Sequence, residues 1–142
     1  MTTTRGDSKI DRLAGLSLFG DLSRRELEKV AEITSEITVK AGTVLMRQDA
    51  PSHDAVVIVD GEAEISVDGT VVAVVGPGEA VGEMGLLDGQ PRSATVTART
   101  DLDIYVIEPR RFRAVLEEVP SIARTLLVTV TKRLRAADRQ LG

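Results

Sequence analysis

Between residues 36 and 107 the chain consists of short apolar stretches separated by turns that contain glycine. Residues 62–68 alternate apolar and polar side chains, whereas Ala55 to Val59 is a continuous apolar run. Alternation with a period of two indicates strands, and Asp68-Gly69 is a two-residue hairpin signal. Glycines recur at intervals typical of a sandwich or a jelly roll. The middle of the chain is therefore predicted to be β structure.

Helices are expected on both sides of this region. Ser23 and Glu26 form a capping box that predicts a helix running to about Ile33, and Leu27, Val30 and Ala31 would be its buried stripe. Pro109 suits the first turn of another helix, and Pro120 separates that helix from a longer one at about 121–140. Residues 1–12 are polar and charged, and we expect them to be a mobile N-terminus.

Composition excludes several classes of protein. The chain has 142 residues, no cysteine and a net charge of -4, which predicts one domain without disulfides or thiolate metal sites. Its charges are interspersed, which argues against general affinity for nucleic acids. With one tyrosine, two phenylalanines and no tryptophan it has no stacking platform for single strands. We find no leader or membrane-spanning apolar run, so we expect a cytoplasmic protein without a membrane partner.

Residues 76–96 carry the most specific chemistry of the sequence. Gly82 and Gly85 leave backbone amides open to close approach, and Arg92 offers a fork of donors suited to a phosphate. Glu83 would repel a phosphate, so its carboxylate must face a hydrogen-bond donor such as a sugar hydroxyl. This pattern predicts a small site for an anionic ligand.

The sequence Gly82-Glu83-Met84-Gly85-Leu86-Leu87, a four-residue spacer and then Arg92-Ser93-Ala94-Thr95 resembles the phosphate-binding cassette of the cyclic nucleotide-binding domains. The resemblance implies a mainly β fold, an eight-stranded antiparallel jelly-roll barrel with flanking helices. Within a single domain over 1–142 it implies an N-terminal helical segment at 13–34, a β-roll at 35–108 with the cassette at 82–95, and two C-terminal helices at 109–142. The implied ligand-binding residues are Gly82, Glu83, Met84, Gly85, Leu86, Arg92, Ser93 and Ala94.

The resemblance also implies a role for each part of the cassette. Arg92 would bind the phosphate and Glu83 the ribose hydroxyl. A short helix at about 83–87 would point the free amides of Gly85 and Leu86 at the phosphate. Ser93 favours cAMP as the ligand and leaves cGMP open. We assign Leu86, Leu87, Val81 and Val74 to the core, and no residue can be named as the cap over the base.

Other chemistry is not indicated. His53 is the sole histidine and lies in a predicted turn, so neither a metal site nor a catalytic centre is expected, and the protein is predicted not to be an enzyme and to need no cofactor. Lys132, Arg133, Arg135 and Arg139 are interpreted as a solvated helix face. Transcription factors of the family carry a DNA-reading module after the long helix, and the chain stops at Gly142, so direct DNA binding is not expected.

The sequence thus predicts a sensor that binds a cyclic nucleotide and rearranges its terminal helices for an unidentified protein effector. Two alternatives stay open. One is a ligand-free interaction or scaffold domain, and the other is a regulatory piece of a longer channel, kinase or transporter, although Met1 favours an intact protein. The apolar residues of the last helix are spaced as a heptad-like seam, which predicts a possible homodimer through residues 121–141. That seam consists of Leu127, Val130, Leu134, Ala137 and Leu141.

Overall fold

A computed structural model describes residues 5–51 and 54–141, so the predicted turn at His53 lies outside it. Its internal contacts divide the chain into two compact units. One unit is Ile33–Phe112, and the other combines Met1–Glu32 with Arg113–Gly142.

In its described residues, the first unit contains eight strands, one short helix and the first residues of a further helix. The short helix, α3, spans Gly85–Asp88. The strands are β1 (Thr34–Val39), β2 (Val44–Met46), β3 (Ala55–Asp60), β4 (Ala63–Val67), β5 (Thr70–Val75), β6 (Ala80–Val81), β7 (Thr95–Ala98) and β8 (Leu102–Ile107).

The strands form two four-stranded antiparallel sheets, in the orders β1-β8-β3-β6 and β2-β7-β4-β5. This nested order fits a double-sheet jelly roll. The expected number of strands is confirmed, but the expected closed barrel is not. Within the described residues, strand pairing joins four strands in each sheet and does not connect the two sheets.

The core of this unit draws aliphatic side chains from both sheets, among them Met46, Ile58, Val96 and Ile104. Val74 was assigned to this core, but 41% of it is exposed. Successive side chains of a strand point to opposite faces, and its neighbour Val75 occupies the buried one. Leu87 is also wrongly assigned, with 39% exposed, because Leu86 takes the buried position of α3.

Gly61 shows why a glycine ends β3. Its φ of +93° is a backbone conformation that side chains disfavour. A Cβ on Gly61 would lie 2.8 Å from Leu102 Cδ2 and would also meet the carbonyl oxygen of Asp101. The turn between β3 and β4 therefore needs a residue without a side chain.

The second unit is helical. It contains α1 (Arg5–Ala14), α2 (Arg24–Glu32) and α5 (Pro120–Leu141), and most of α4 (Pro109–Glu118) belongs to it. The capping box is confirmed, since Ser23 N donates to Glu26 Oε1 at 2.8 Å and Glu26 N donates to Ser23 Oγ at 3.1 Å. In the stripe of α2, Leu27 and Val30 are buried and Ala31 is half-buried.

Helix α1 was missed by the sequence analysis. Residues 5–12 were assigned to a mobile N-terminus, but they form most of this helix, and Ile10 and Leu13 are buried. The stretch is so polar that its two buried side chains did not stand out from the sequence. Residues 1–4 lie outside the described part of the chain.

Helix α5 differs along its length. Ile122, Leu126 and Thr129 are buried in its first half, whereas every residue from 131 to 141 is exposed. Among the described helices, none is long and apolar enough to cross a bilayer.

Candidate functional site

A cavity of about 510 Å³ opens in the β unit beside the predicted cassette. Seven of the eight predicted ligand-binding residues line it, and Leu86 does not. Leu86 is only 2% exposed and belongs to the core. The residues that line the cavity are Met46, Ile65, Ala80, Val81, Gly82, Glu83, Met84, Gly85, Asp88, Gln90, Pro91, Arg92, Ser93, Ala94 and Val96.

Arg92 is the most buried charged side chain described at this site, with 6% of its surface exposed. Its Nη2 donates to the backbone carbonyl of Asp54 at 2.7 Å, and its Nη1 donates to that of Gly82 at 3.2 Å. Burial lowers the pKa of the guanidinium, and Asp54 and Asp88 partly offset this effect. Because arginine has a very high ordinary pKa, the group still carries its positive charge at neutral pH.

Gly82 serves the geometry of the arginine. Its φ is +77°, and a Cβ there would collide with Arg92 Nη1 and lie 2.9 Å from Met46 Cε. The Gly82 carbonyl accepts from Gly85 N at 3.2 Å as well as from Arg92. One peptide group therefore connects the cassette turn to the charged group of the cavity.

The amides of α3 are not arranged as predicted. The helix begins at Gly85 rather than at about residue 83, and Gly89 ends it with a left-handed φ of 65°. Gly85 N donates to Gly82 O, and Leu86 N donates to Glu83 O at 3.1 Å. Both amides that were expected to be free are thus engaged in local turns, because the residues before α3 already coil tightly.

Glu83 and Ser93 lie on the same cavity as Arg92. Glu83 is half-buried, whereas Ser93 is exposed. The cavity therefore combines a carboxylate that can accept from hydroxyl groups, a hydroxyl and a buried cation. These are complementary groups for a ligand that carries both a sugar and a phosphate.

Sequence reasoning missed two parts of the site. Met46, Ile65 and Val96 come from β2, β4 and β7 and give the cavity an apolar wall. Asp49, Ala50 and Asp54 supply backbone atoms that hold Arg92. Backbone carbonyls occur at every residue, so no sequence signal could have identified the second part. The residues of the apolar wall look like any other apolar strand residues in the sequence, so nothing distinguished them as part of a site.

We find no cluster of three or more histidine or acidic side chains that could hold a metal ion in residues 5–51 and 54–141.

Residues 36–119 match the sequence pattern of the cyclic nucleotide-binding domain. The chain belongs to this family. Its resemblance to the family, first seen in the cassette, therefore extends over most of the β unit and into α4.

Known proteins of the family include a relative with a much longer chain. The protein is 32% identical over 114 residues to a Pycsar effector protein, XpPycTIR, of Xanthomonas perforans. That alignment covers 79% of this chain and 38% of the effector. The chain spans well under half the length of the first curated relatives it matches.

Solved structures that share its fold include two with 28% and 31% sequence identity. The N-terminal domain of a transcriptional regulator from Streptomyces coelicolor A3(2) is 28% identical with a TM-score of 0.84, and the match covers 93% of this chain and 96% of that one. The regulatory domain of Toxoplasma gondii PKA, crystallised with cAMP, is 31% identical with a TM-score of 0.73. That match covers 81% of this chain and 46% of the PKA chain.

Proposed function

We propose that this cyclic nucleotide-binding domain binds cAMP in the cassette cavity and passes its occupancy to a protein effector by rearranging its terminal helices. The observation that carries the proposal is the buried guanidinium of Arg92 on a cavity that Glu83 also lines. That cavity lies in a domain whose family includes a PKA structure with cAMP. No chemical change of the ligand is part of the proposal.

The phosphate is assigned to Arg92. A cyclic phosphate keeps one negative charge, and a guanidinium can donate two parallel hydrogen bonds to it. A guanidinium has five N–H donors, so a phosphate can accept from Arg92 while the carbonyls of Gly82 and Asp54 stay bonded to it. Charge-assisted hydrogen bonds are stronger than neutral ones, and at a buried site water weakens them less than it does at the surface.

The sugar and the base are assigned to the remaining groups. Glu83 would accept a hydrogen bond from the ribose hydroxyl, and the base would contact the apolar wall formed by Met46, Ile65 and Val96. Ser93 can donate its hydroxyl to the phosphate or accept from a purine amino group. Both adenine and guanine carry an amino group, so the choice of cAMP over cGMP rests on the resemblance of this position to bacterial receptors for cAMP.

Transmission to the effector follows the logic of a population shift. A ligand biases the helices only by the difference between its affinities for two arrangements. Helix α5 has two halves that suit such a mechanism, one attached to the domain and one exposed for an effector. Its first half is joined to the α2 region through Ser121 Oγ to Glu26 Oε2 at 2.6 Å and Thr129 Oγ1 to Asp21 Oδ2 at 2.7 Å, and its second half is exposed.

A calorimetric titration tests the ligand assignment. The wild type is titrated with cAMP, cGMP and the cyclic pyrimidine nucleotides, and cAMP is expected to bind best. Arg92→Ala should weaken cAMP by roughly 100-fold or more, because two charge-assisted bonds of about 1.5–3 kcal/mol each are lost. Arg99→Ala is the matched control, since this exposed arginine pairs only loosely with Glu64, at 3.9 Å.

The same titration separates the alternatives. A wild type that binds none of the four nucleotides, even at millimolar concentration, would favour a ligand-free scaffold. If another cyclic nucleotide binds more strongly than cAMP, and Arg92→Ala abolishes that binding, the assigned site is correct but its ligand is not cAMP. The relative XpPycTIR, of which the chain spans 38%, motivates the alternative that this domain regulates a larger protein. The cytoplasmic location and the lack of enzymatic activity stay predictions.

We also propose that a second copy of the chain covers the exposed end of α5. Leu127, Leu134 and Leu141 recur every seven residues and are 67%, 62% and 89% exposed. With these leucines at the a positions, Arg133 occupies a g position and Asp138 the following e position. In a parallel pair of helices those two positions face each other across the seam, so opposite charges meet. Light scattering over a range of concentrations tests this dimer.

A further inference from the structure

The backbone of Arg92 is held by one neighbouring segment. Asp49 N donates to Arg92 O at 2.8 Å, and Arg92 N donates to Ala50 O at 3.0 Å. The side chain adds its 2.7 Å bond to the Asp54 carbonyl. Three hydrogen bonds thus connect Arg92 to nearby residues: two hold its backbone, through Asp49 and Ala50, and one holds its guanidinium, through the Asp54 carbonyl.

Residues 49–51 belong to no helix or strand, and the backbone of Asp49 is unusual. Asp49 has a φ of +66°, which is uncommon for a residue other than glycine and costs on the order of 1 kcal/mol. Such a conformation persists only where neighbouring contacts hold it.

Gln48 anchors the chain immediately before Asp49. Its Nε2 donates to Asp68 Oδ1 at 2.9 Å, and its Oε1 accepts from Asp68 N at 2.8 Å. Its backbone amide donates to Thr95 Oγ1 at 2.9 Å. Gln48 is therefore bonded to the β4–β5 turn and to the start of β7, immediately before the strained Asp49. A carboxamide suits this place, because both a donor and an acceptor are used.

We propose that Gln48 is a positioning residue for the ligand: by binding Asp68 it keeps Asp49 and Ala50 in the arrangement that holds Arg92 toward the cavity. Gln48 does not line the cavity, so it acts through the arginine. The inference rests on the proposed function, because the affinity that Gln48 sets is that for the cyclic nucleotide bound by Arg92.

The test combines hydrogen exchange of the ligand-free protein with calorimetry. Gln48→Ala should speed exchange of the Asp49 and Arg92 amides by about tenfold and weaken cAMP by about tenfold, the equivalent of one lost hydrogen bond. Exchange in β3 should not change. Gln48→Glu, which keeps the size but removes the donor and faces the Asp68 carboxylate, should act in the same direction and serves if Gln48→Ala does not fold.

Two further variants are controls. Asp68→Asn keeps the acceptor and tolerates the φ of +50° at this residue, so affinity and exchange should stay as in the wild type. Gln140→Ala, on the exposed end of α5, should change neither measurement.

The outcomes distinguish this inference from the proposed function. If Gln48→Ala leaves the Arg92 amide or the cAMP affinity unchanged, Gln48 is not a positioning residue. If the wild type binds no cyclic nucleotide, the proposed function is wrong, and so is the proposed effect of Gln48 on ligand affinity. The exchange measurement then still decides whether Gln48 holds the segment around Arg92.

Discussion

The guanidinium of Arg92 lies so close to Gly82 that Nη1 donates to the Gly82 carbonyl at 3.2 Å and no side chain fits on that glycine. The two residues are ten positions apart in sequence, and both line the cavity where we place the phosphate. The first glycine of the cassette therefore makes room for its arginine, in addition to forming a bend.

Gly82→Ala is expected to lower the free energy of unfolding by roughly 3 kcal/mol, from left-handed strain and from the collision with Arg92 and Met46. It should also weaken cAMP, because Arg92 must move. Gly78→Ala is the matched control, since its φ of +88° is similar and nothing lies within 4 Å of its Cβ position. It should cost only about 1 kcal/mol and leave binding intact. Urea unfolding and calorimetry measure both variants, and equal effects would contradict the collision.

Glu26 should make stability depend on pH in the acid range. Its hydrogen bond from Ser121 is the main cause that lowers the pKa of the carboxyl, and the Ser23 bonds add to it. A lowered folded-state pKa contributes stability that is fully present above the ordinary value of about 4.3 and is lost as the pH falls through the folded value. Glu26→Gln should thus cost less than about 1 kcal/mol at neutral pH.

Urea unfolding at a series of pH values measures this difference. The free energies of the wild type and Glu26→Gln should converge as the solution becomes acidic. Ser121→Ala should reduce the pH dependence of the wild type, because it removes the main donor to the carboxylate. A difference that does not vary with pH would show that the charge of Glu26 contributes nothing.

Thr129→Val should destabilise the helical unit by about 1 kcal/mol, because the buried hydroxyl donates to Asp21 Oδ2 at 2.7 Å. Thr131→Val is the control. The Thr131 hydroxyl is exposed, and the hydrogen bond described for it goes to the Leu127 carbonyl of its own helix, so its loss should be close to neutral. Thermal unfolding compares the two variants. An equal loss in both would mean that the bond to Asp21 adds no stability.

The proposed dimer predicts a charge reversal experiment. Arg133→Glu places a negative charge opposite Asp138 of the second copy and should weaken association, whereas Arg133→Glu combined with Asp138→Arg should restore it. Arg135→Glu lies outside the e and g positions and is the control. Light scattering reads the mass of each variant over a range of concentrations. If the wild type stays monomeric at high concentration, with and without cAMP, the proposed dimer is contradicted.

Local sequence patterns were sufficient for elements whose signals are themselves local. The capping box of Ser23 and Glu26 needs only its two residues, and the hairpin at Asp68-Gly69 is set by the turn between β4 and β5. Patterns were insufficient where burial depends on distant neighbours. Val74 and Leu87 are apolar but exposed, and the polar α1 was missed although Ile10 and Leu13 are buried.

By itself, the sequence determined which chemical groups the site could contain, since the order and spacing of Gly82, Glu83 and Arg92 are properties of the chain. Only the tertiary structure decided how the arginine is held. The Asp54 carbonyl and the Gln48 side chain come from residues 38 and more positions away from it. Backbone carbonyls carry no sequence signature, and burial of a charge depends on strands that meet only when the sheets form.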